Sequence, residues 1–234
     1  MSETTNLSLP MLVAAQAQKH VTVNETIQAL DVLVQPSVVS RIEYTPPVSP
    51  ADGARYLIGE AATDAWAGHD RKLAVWQDGA WRFHSPKEGW RAFVEAEGQS
   101  FTFASGRWRP GFAMAPSGAA TIADILPEHH VLPAAAFSDT SIAIPARSIL
   151  LGVTCLVTQE VTGPTSFSVG VDGDLHRFGN GIGTSINSQF NAAVTPAAYT
   201  SDTPIRITAS GGDFTGGVIQ IAAHILKLQI PDFV

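Results

Sequence analysis

From residue 136 onward the chain repeats one pattern: short runs of β-branched and apolar residues broken by Gly, Asp and Pro. The runs SIAI, SILLGVTCLVTQ, SFSVGVD, PIRITAS and GGVIQIAAHILKL each read as a strand. Such spacing, with almost no Lys or Glu between the runs, predicts a β-sandwich or jelly roll over residues 136–234.

The stretch before it has a different texture. LAVWQDGAWRFH places Asp78-Gly79 between two alternating runs, a strong hairpin signal, and FTFASGRW repeats the idea around Ser105-Gly106. All five tryptophans fall between Trp66 and Trp108. A module of this size, residues 37–110, builds its core from such large aromatics. Trp66 and Trp90, in DAWAGH and PKEGWRA, sit outside the hairpin signals and are candidates for exposed rings. Residues 111–135, rich in Ala and Pro and poorly periodic, read as a linker.

Residues 9–35 form the one convincing helical stretch. Pro10 suits a first helical turn, and Thr22 with Glu25 has capping-box spacing, so a second helix is expected to start there. Val23, Ile27, Leu30 and Val34 make a narrow apolar stripe that needs a partner, either the β module or the same helix in neighbouring subunits. Residues 1–36 are thus a candidate attachment and oligomerisation segment. The fold class is mainly β: a short N-terminal helical segment, a small Trp-rich β module and a C-terminal β-sandwich or jelly roll.

Charge removes several functions. Charged residues are only 15% of the chain, the net charge is −7, and no Lys/Arg run occurs. Gripping a phosphate backbone or an anionic bilayer requires a dense positive field, so neither nucleic acid nor a membrane surface is an expected partner. The opening MSETTNLSLP lacks the basic start and apolar stretch of a secretory signal, and no window reaches the length of a membrane span. The expectation is synthesis in the cytosol, with any outside role reached by lysis. Cys155, alone in LLGVTCLV, reads as a small buried hydrophobe, with no disulfide and no cysteine-based zinc site.

Catalysis finds little support. A glycosidase needs two carboxylates at defined separation. Asp172, Asp174, Asp202 and Asp213 have the best claim, yet Asp172-Gly173-Asp174 falls where a hairpin turn belongs and Asp favours turns by itself. DGD lacks the rest of a calcium loop. His129 and His130 are adjacent and diverge on a regular element, and His224 lies in an apolar strand. GNGIG lacks the strand-to-helix setting of a dinucleotide site, and HExxH, GxSxG and P-loop patterns are missing. No cofactor, metal or enzymatic activity is expected.

Sugar recognition asks for an aromatic face and short polar groups. Residues 172–199 supply Asp172, Asp174, His176, Arg177, Asn180, Asn187, Asn191 and Tyr199 among glycines that permit close approach. Arg177 could meet an acidic sugar's carboxylate bidentately, or bridge to an aspartate across a strand pair or subunit interface. Trp66 and Trp90 are the second candidate surface.

LPMLVAAQAQKHVTVNETIQALDVLVQPSV, followed by PPVSPADGARYLIGEAATDAWAGHDRKLAVWQDGAWRFHSPKEGWRAFVEAEG, closely resembles the DUF2793 domain of phage and prophage structural proteins and alphaproteobacterial gene transfer agents. The resemblance covers about residues 8–110, with AAQAQKH…NE, ADGxRYLIG and WAGH its most telling pieces. The C-terminal half, through SFSVGVDGDLHRFGNGIG and TPIRITASGGDFTGGVIQIAAH, looks like the segment accompanying that domain in head-spike (fibre) proteins. The resemblance implies a particle-surface fibre, trimeric, docked on other particle proteins, with a distal module binding host capsular polysaccharide. A glycan depolymerase on the same particle, or a purely structural spacer, are the alternatives.

Overall fold

The computed structural model describes residues 3–12 and 19–232, in two compact units dividing near residue 112. It is mainly β, with one short helix near the N-terminus.

In the first unit, α1 (Lys19–Leu33) leads into β1 (Ser37–Val38), β2 (Arg55–Leu57), β3 (Leu73–Gln77), β4 (Ala80–His84), β5 (Arg91–Val94), β6 (Gln99–Ala104) and β7 (Arg107–Pro110). Two small sheets result, β2-β3-β4 and β1-β5-β6-β7, with β1 parallel to β5. Both hairpin signals are realised. Asp78-Gly79 and Ser105-Gly106 each adopt positive φ at both residues, the primed turn that matches strand twist.

Val32, Val38, Leu57, Leu73, Val75, Val94 and Phe101 form one buried cluster. Beside it Trp66 packs edge-on to Trp81 at 5.1 Å and tilted to Tyr56 at 5.6 Å. Trp66 is fully buried, which corrects the expectation of an exposed ring. The short 3-10 turn at Asp64–Trp66 drives its indole inward from a loop, and an aromatic this large stabilises most where it is dry. Trp90 is half-buried.

The helix also departs from expectation. Pro10 takes part in an isolated bridge with Glu3 rather than in a helical turn, and residues 13–18 lie outside the described residues. Thr22 is inside α1, with its carbonyl accepting the Thr26 hydroxyl at 2.9 Å, so the capping-box spacing starts no second helix. Asn24 pairs its side-chain amide with the backbone of Leu12 in both directions, at 2.9 and 3.1 Å. Val32 and Leu33 face the core, whereas Val23, Leu30 and Val34 stay exposed and Ile27 half-exposed. The stripe read from the sequence is uncovered within its own unit.

The second unit contains β8 (Ala113–Met114), β9 (Ala120–Val131), β10 (Phe137–Ile144), β11 (Ser148–Thr162), β12 (Ser166–Val171), β13 (Asp174–Ile182), β14 (Gln189–Ala198), β15 (Thr203–Ser210) and β16 (Gly216–Gln229). They form a four-stranded sheet, β10-β15-β12-β13, and a five-stranded one, β14-β11-β16-β9-β8. A single core lies between them. Ile142, Ile205, Ile207, Phe167 and Phe178 come from one sheet, and Leu150, Val153, Val157, Ile219, Ile221 and Ile225 from the other. Each such side chain stabilises the sandwich by about 1.5–3 kcal/mol.

The reading of 111–135 as a linker is corrected here. Residues 120–131 form a strand of 12 residues whose side chains alternate between the core face and solvent, in register with β16 throughout. Pro127 hid it, because proline is expected to interrupt a strand. Beyond Thr121, however, β9 has no neighbour on its far side among the described residues, and edge strands tolerate proline.

Candidate functional site

The residues singled out in 172–199 do not converge. Asp172 turns to Arg206, whose Nη1 lies 2.6 Å from its Oδ1. Asp174 faces Arg177 at 3.8 Å, three residues on, and the Arg177 guanidinium lies 5.8 Å from the Tyr199 ring centre. His176 is exposed. Asn187 adopts a left-handed turn beside the other sheet, where its N–H donates to the Val157 carbonyl. Turn chemistry and local ion pairing account for Asp172, Asp174, Arg177 and Asn187.

Polar order is greater at the mouth between the sheets. Glu128 Oε2 accepts the Ser141 hydroxyl at 2.8 Å and the Ile142 N–H at 2.9 Å. Its Oε1 meets His130 Nδ1 at 2.7 Å, and His130 Nε2 meets the Ser138 hydroxyl at 2.8 Å. Burial raises the Glu128 carboxyl, but these hydrogen bonds outweigh it and hold the group below the ordinary carboxylate value. Glu128 and His130 therefore tie β9 to β10, and they present no free acid or base. Cys155 is buried in the core and its thiol is pushed up to about 12 by desolvation, which leaves it a packing residue. Among the described residues, no three His, Cys, Asp or Glu side chains come together as a metal centre requires.

A concavity lies elsewhere, on the outer face of the five-stranded sheet. An open groove of about 1080 Å³ crosses β14, β11, β16 and β9. Strand register orders its outward residues. Gln189, Leu156, Gln220 and His129 form one row across the four strands, and Asn191, Thr154, Ala222 and Pro127 form the next. Glu128, Cys155 and Phe190 border the groove too, but they belong to the intervening row directed at the core.

Two further rows, from Ala193 through Gly152 and His224 to Ile125, and from Ala198 through Ile149 and Leu226 to Ala123, complete this face. None of the four rows contains Asp, Glu, Lys or Arg. The His224 Nε2 and Thr154 hydroxyl are 3.2 Å apart, so even the imidazole is engaged with a neutral neighbour. Of these residues, the sequence marks Asn191 as a polar group for sugar contact, and His129 and His224 carry no ligand signal in it. No local signal reveals the groove, because its members come from four strands far apart in the chain, one of which has the Ala- and Pro-rich texture of a linker.

The chain is a two-unit, mainly β protein with an open groove on one sheet face, whose outward rows carry no Asp, Glu, Lys or Arg. Residues 23–109 match the family described as "Protein of unknown function (DUF2793)", within the stretch that carries the resemblance noted above. Among curated proteins nothing matches. Among solved structures the chain is similar to a chain described as "Cyanophage Pam1 capsid asymmetric unit", at 17% identity and a TM-score of 0.34, over 47% of this chain and 84% of that one. Among the described residues no helix is long and apolar enough to cross a membrane.

Proposed function

We propose that the protein is a non-enzymatic structural and adhesion component of a phage-like particle, a head spike or fibre that binds capsular polysaccharide on the host surface. The observation that carries the particle assignment is the match of residues 23–109, in a family that the sequence resemblance associates with phage and prophage structural proteins. The adhesion half is supported by the sandwich. Its open groove offers amides, a hydroxyl and an imidazole without a nucleophile or a carboxylate pair, which suits holding a glycan rather than cutting it.

The chain works as a trimer in this reading. The exposed Val23, Leu30 and Val34, with half-exposed Ile27, are the surface by which copies associate, and the first unit docks on other particle proteins.

The test uses purified particles and purified protein. Antibodies against the chain should label intact particles, and the free protein should block particle adsorption to encapsulated cells while leaving capsule-stripped cells unbound. Shortening of the capsule on incubation would instead establish a depolymerase. A monomer by light scattering at micromolar concentration, or Ile27→Asp with Leu30→Asp leaving assembly unchanged, would remove the helix from the interface.

A further inference from the structure

An exposed sheet face ordinarily carries charge, which keeps it soluble and prevents association. The outer face of β14-β11-β16-β9 carries none in four consecutive rows, although the chain as a whole holds 35 charged residues (14 basic and 21 acidic). Its polarity is concentrated in two of those rows, where the groove lies. Gln189, Gln220, Asn191 and His129 are exposed there, and Thr154 is half-buried. Between them Ala222 keeps the floor low. The chemistry is therefore specific in kind: amide, hydroxyl and imidazole groups, side by side, over a shallow floor.

We infer that this groove binds an uncharged oligosaccharide stretch, lying across the strands from β14 to β9; the inference rests on the adhesion reading and assigns it a site and a ligand class. The three strand spacings span roughly 14 Å, room for a few consecutive sugar rings. Amide side chains both donate and accept, as sugar hydroxyls do, so Gln189, Gln220 and Asn191 satisfy a hydroxyl from either side. An acidic sugar is disfavoured, because its carboxylate would be desolvated on a face that offers no cation to pair it. A second copy of the chain would have to satisfy every buried amide in one fixed register, whereas closely spaced hydroxyls with free rotation supply partners without one.

The test uses surface polysaccharide extracted from bacteria related to the producing species, separated by anion exchange into neutral and acidic fractions. Affinity electrophoresis through gels containing each fraction reads binding for the full chain, for Gln189→Ala with Gln220→Ala, and for Ala222→Arg, which fills the floor. The paired glutamine variant removes only exposed side-chain atoms, so it decides the matter if Ala222→Arg fails to fold. The expected result is retardation by the neutral fraction, weakened at least tenfold in the glutamine pair.

Equal retardation of wild type and the glutamine pair would overturn the groove as the site and leave the adhesion reading standing. Binding to the acidic fraction alone would overturn the ligand class. Retardation by neither fraction would overturn the groove and the adhesion reading together. Self-association of wild type by light scattering that the glutamine pair abolishes, without polysaccharide, would make the face a contact between copies and overturn the inference.

Discussion

Arg206 grips Asp139 with both sides of its guanidinium, Nε to Oδ1 at 2.7 Å and Nη2 to Oδ2 at 2.9 Å, while its third nitrogen reaches Asp172. The Phe137 ring lies 4.3 Å from the same guanidinium carbon. One side chain on β15 thus ties one neighbouring strand, β10, to the turn that ends the other, β12. Hydrogen bonding to Arg206 is the main reason that the Asp139 carboxyl sits below its ordinary value.

Lysine cannot reproduce that fork. Arg206→Lys is expected to destabilise the sandwich by about 1 kcal/mol, a modest figure because Asp139 and Asp172 remain open to solvent. Urea unfolding followed by far-ultraviolet circular dichroism measures it. An unchanged midpoint would show that the bidentate geometry contributes nothing.

Asp31 gives the first unit a pH dependence. It lies in the last turn of α1, where the helix dipole disfavours a carboxylate, and it is fully buried. Burial raises its carboxyl, but the Thr4 hydroxyl at 2.6 Å, the Asn6 side chain at 2.9 Å and the N–H groups of Asn6 and Leu7 together hold it below the ordinary value. A depressed folded-state value means stability that is present above the unfolded carboxylate value, about 3.9, and lost as pH falls through the lower folded one. Every tryptophan belongs to the first unit, so indole fluorescence reports that unit alone. Asp31→Asn should cost about 1–3 kcal/mol at pH 7 and flatten the acid limb of the fluorescence-detected stability curve.

Cys155 should behave as a reporter of unfolding. With its thiol buried and its value raised to about 12, almost no thiolate exists at pH 8 in the folded chain. An aromatic disulfide reagent is expected to modify it only as fast as the sandwich opens, with no rapid phase. Prompt reaction in native buffer would contradict the packed position.

Gly152 marks a tight approach between β11 and β14. A Cβ there would meet the carbonyl oxygen of Ala192 and come within 3.3 Å of the Ala193 Cα, all backbone atoms that cannot swing aside. Gly152→Ala should destabilise the sandwich by about 1–3 kcal/mol, with hydrogen exchange accelerated first along β14. Uniform protection across β14 in the variant would mean that the strands separate without cost.

The sequence was most legible where local signals suffice. Asp78-Gly79 and Ser105-Gly106 announced their hairpins because primed turns have residue preferences of their own. The core strands SILLGVTCLVTQ and GGVIQIAAHILKL are legible through their dense apolar and β-branched content. It was least legible where neighbours decide. Thr22 has the spacing of a cap but lies within α1, Trp66 looks exposed from its loop context but fills a core, and Pro127 disguises a strand whose position in the sheet makes it tolerable. The groove needed the register of four strands before its two rows of polar residues became a row at all.

Strand β16, the furthest along the chain of those described, is held on both sides, by β11 and by β9, and so occupies the middle of its sheet. Without residues 216–229, β9 and β11 have no common partner, and only the β14–β11 side of the grooved face can form. A chain clipped before that segment loses the middle of the grooved face rather than one edge of it.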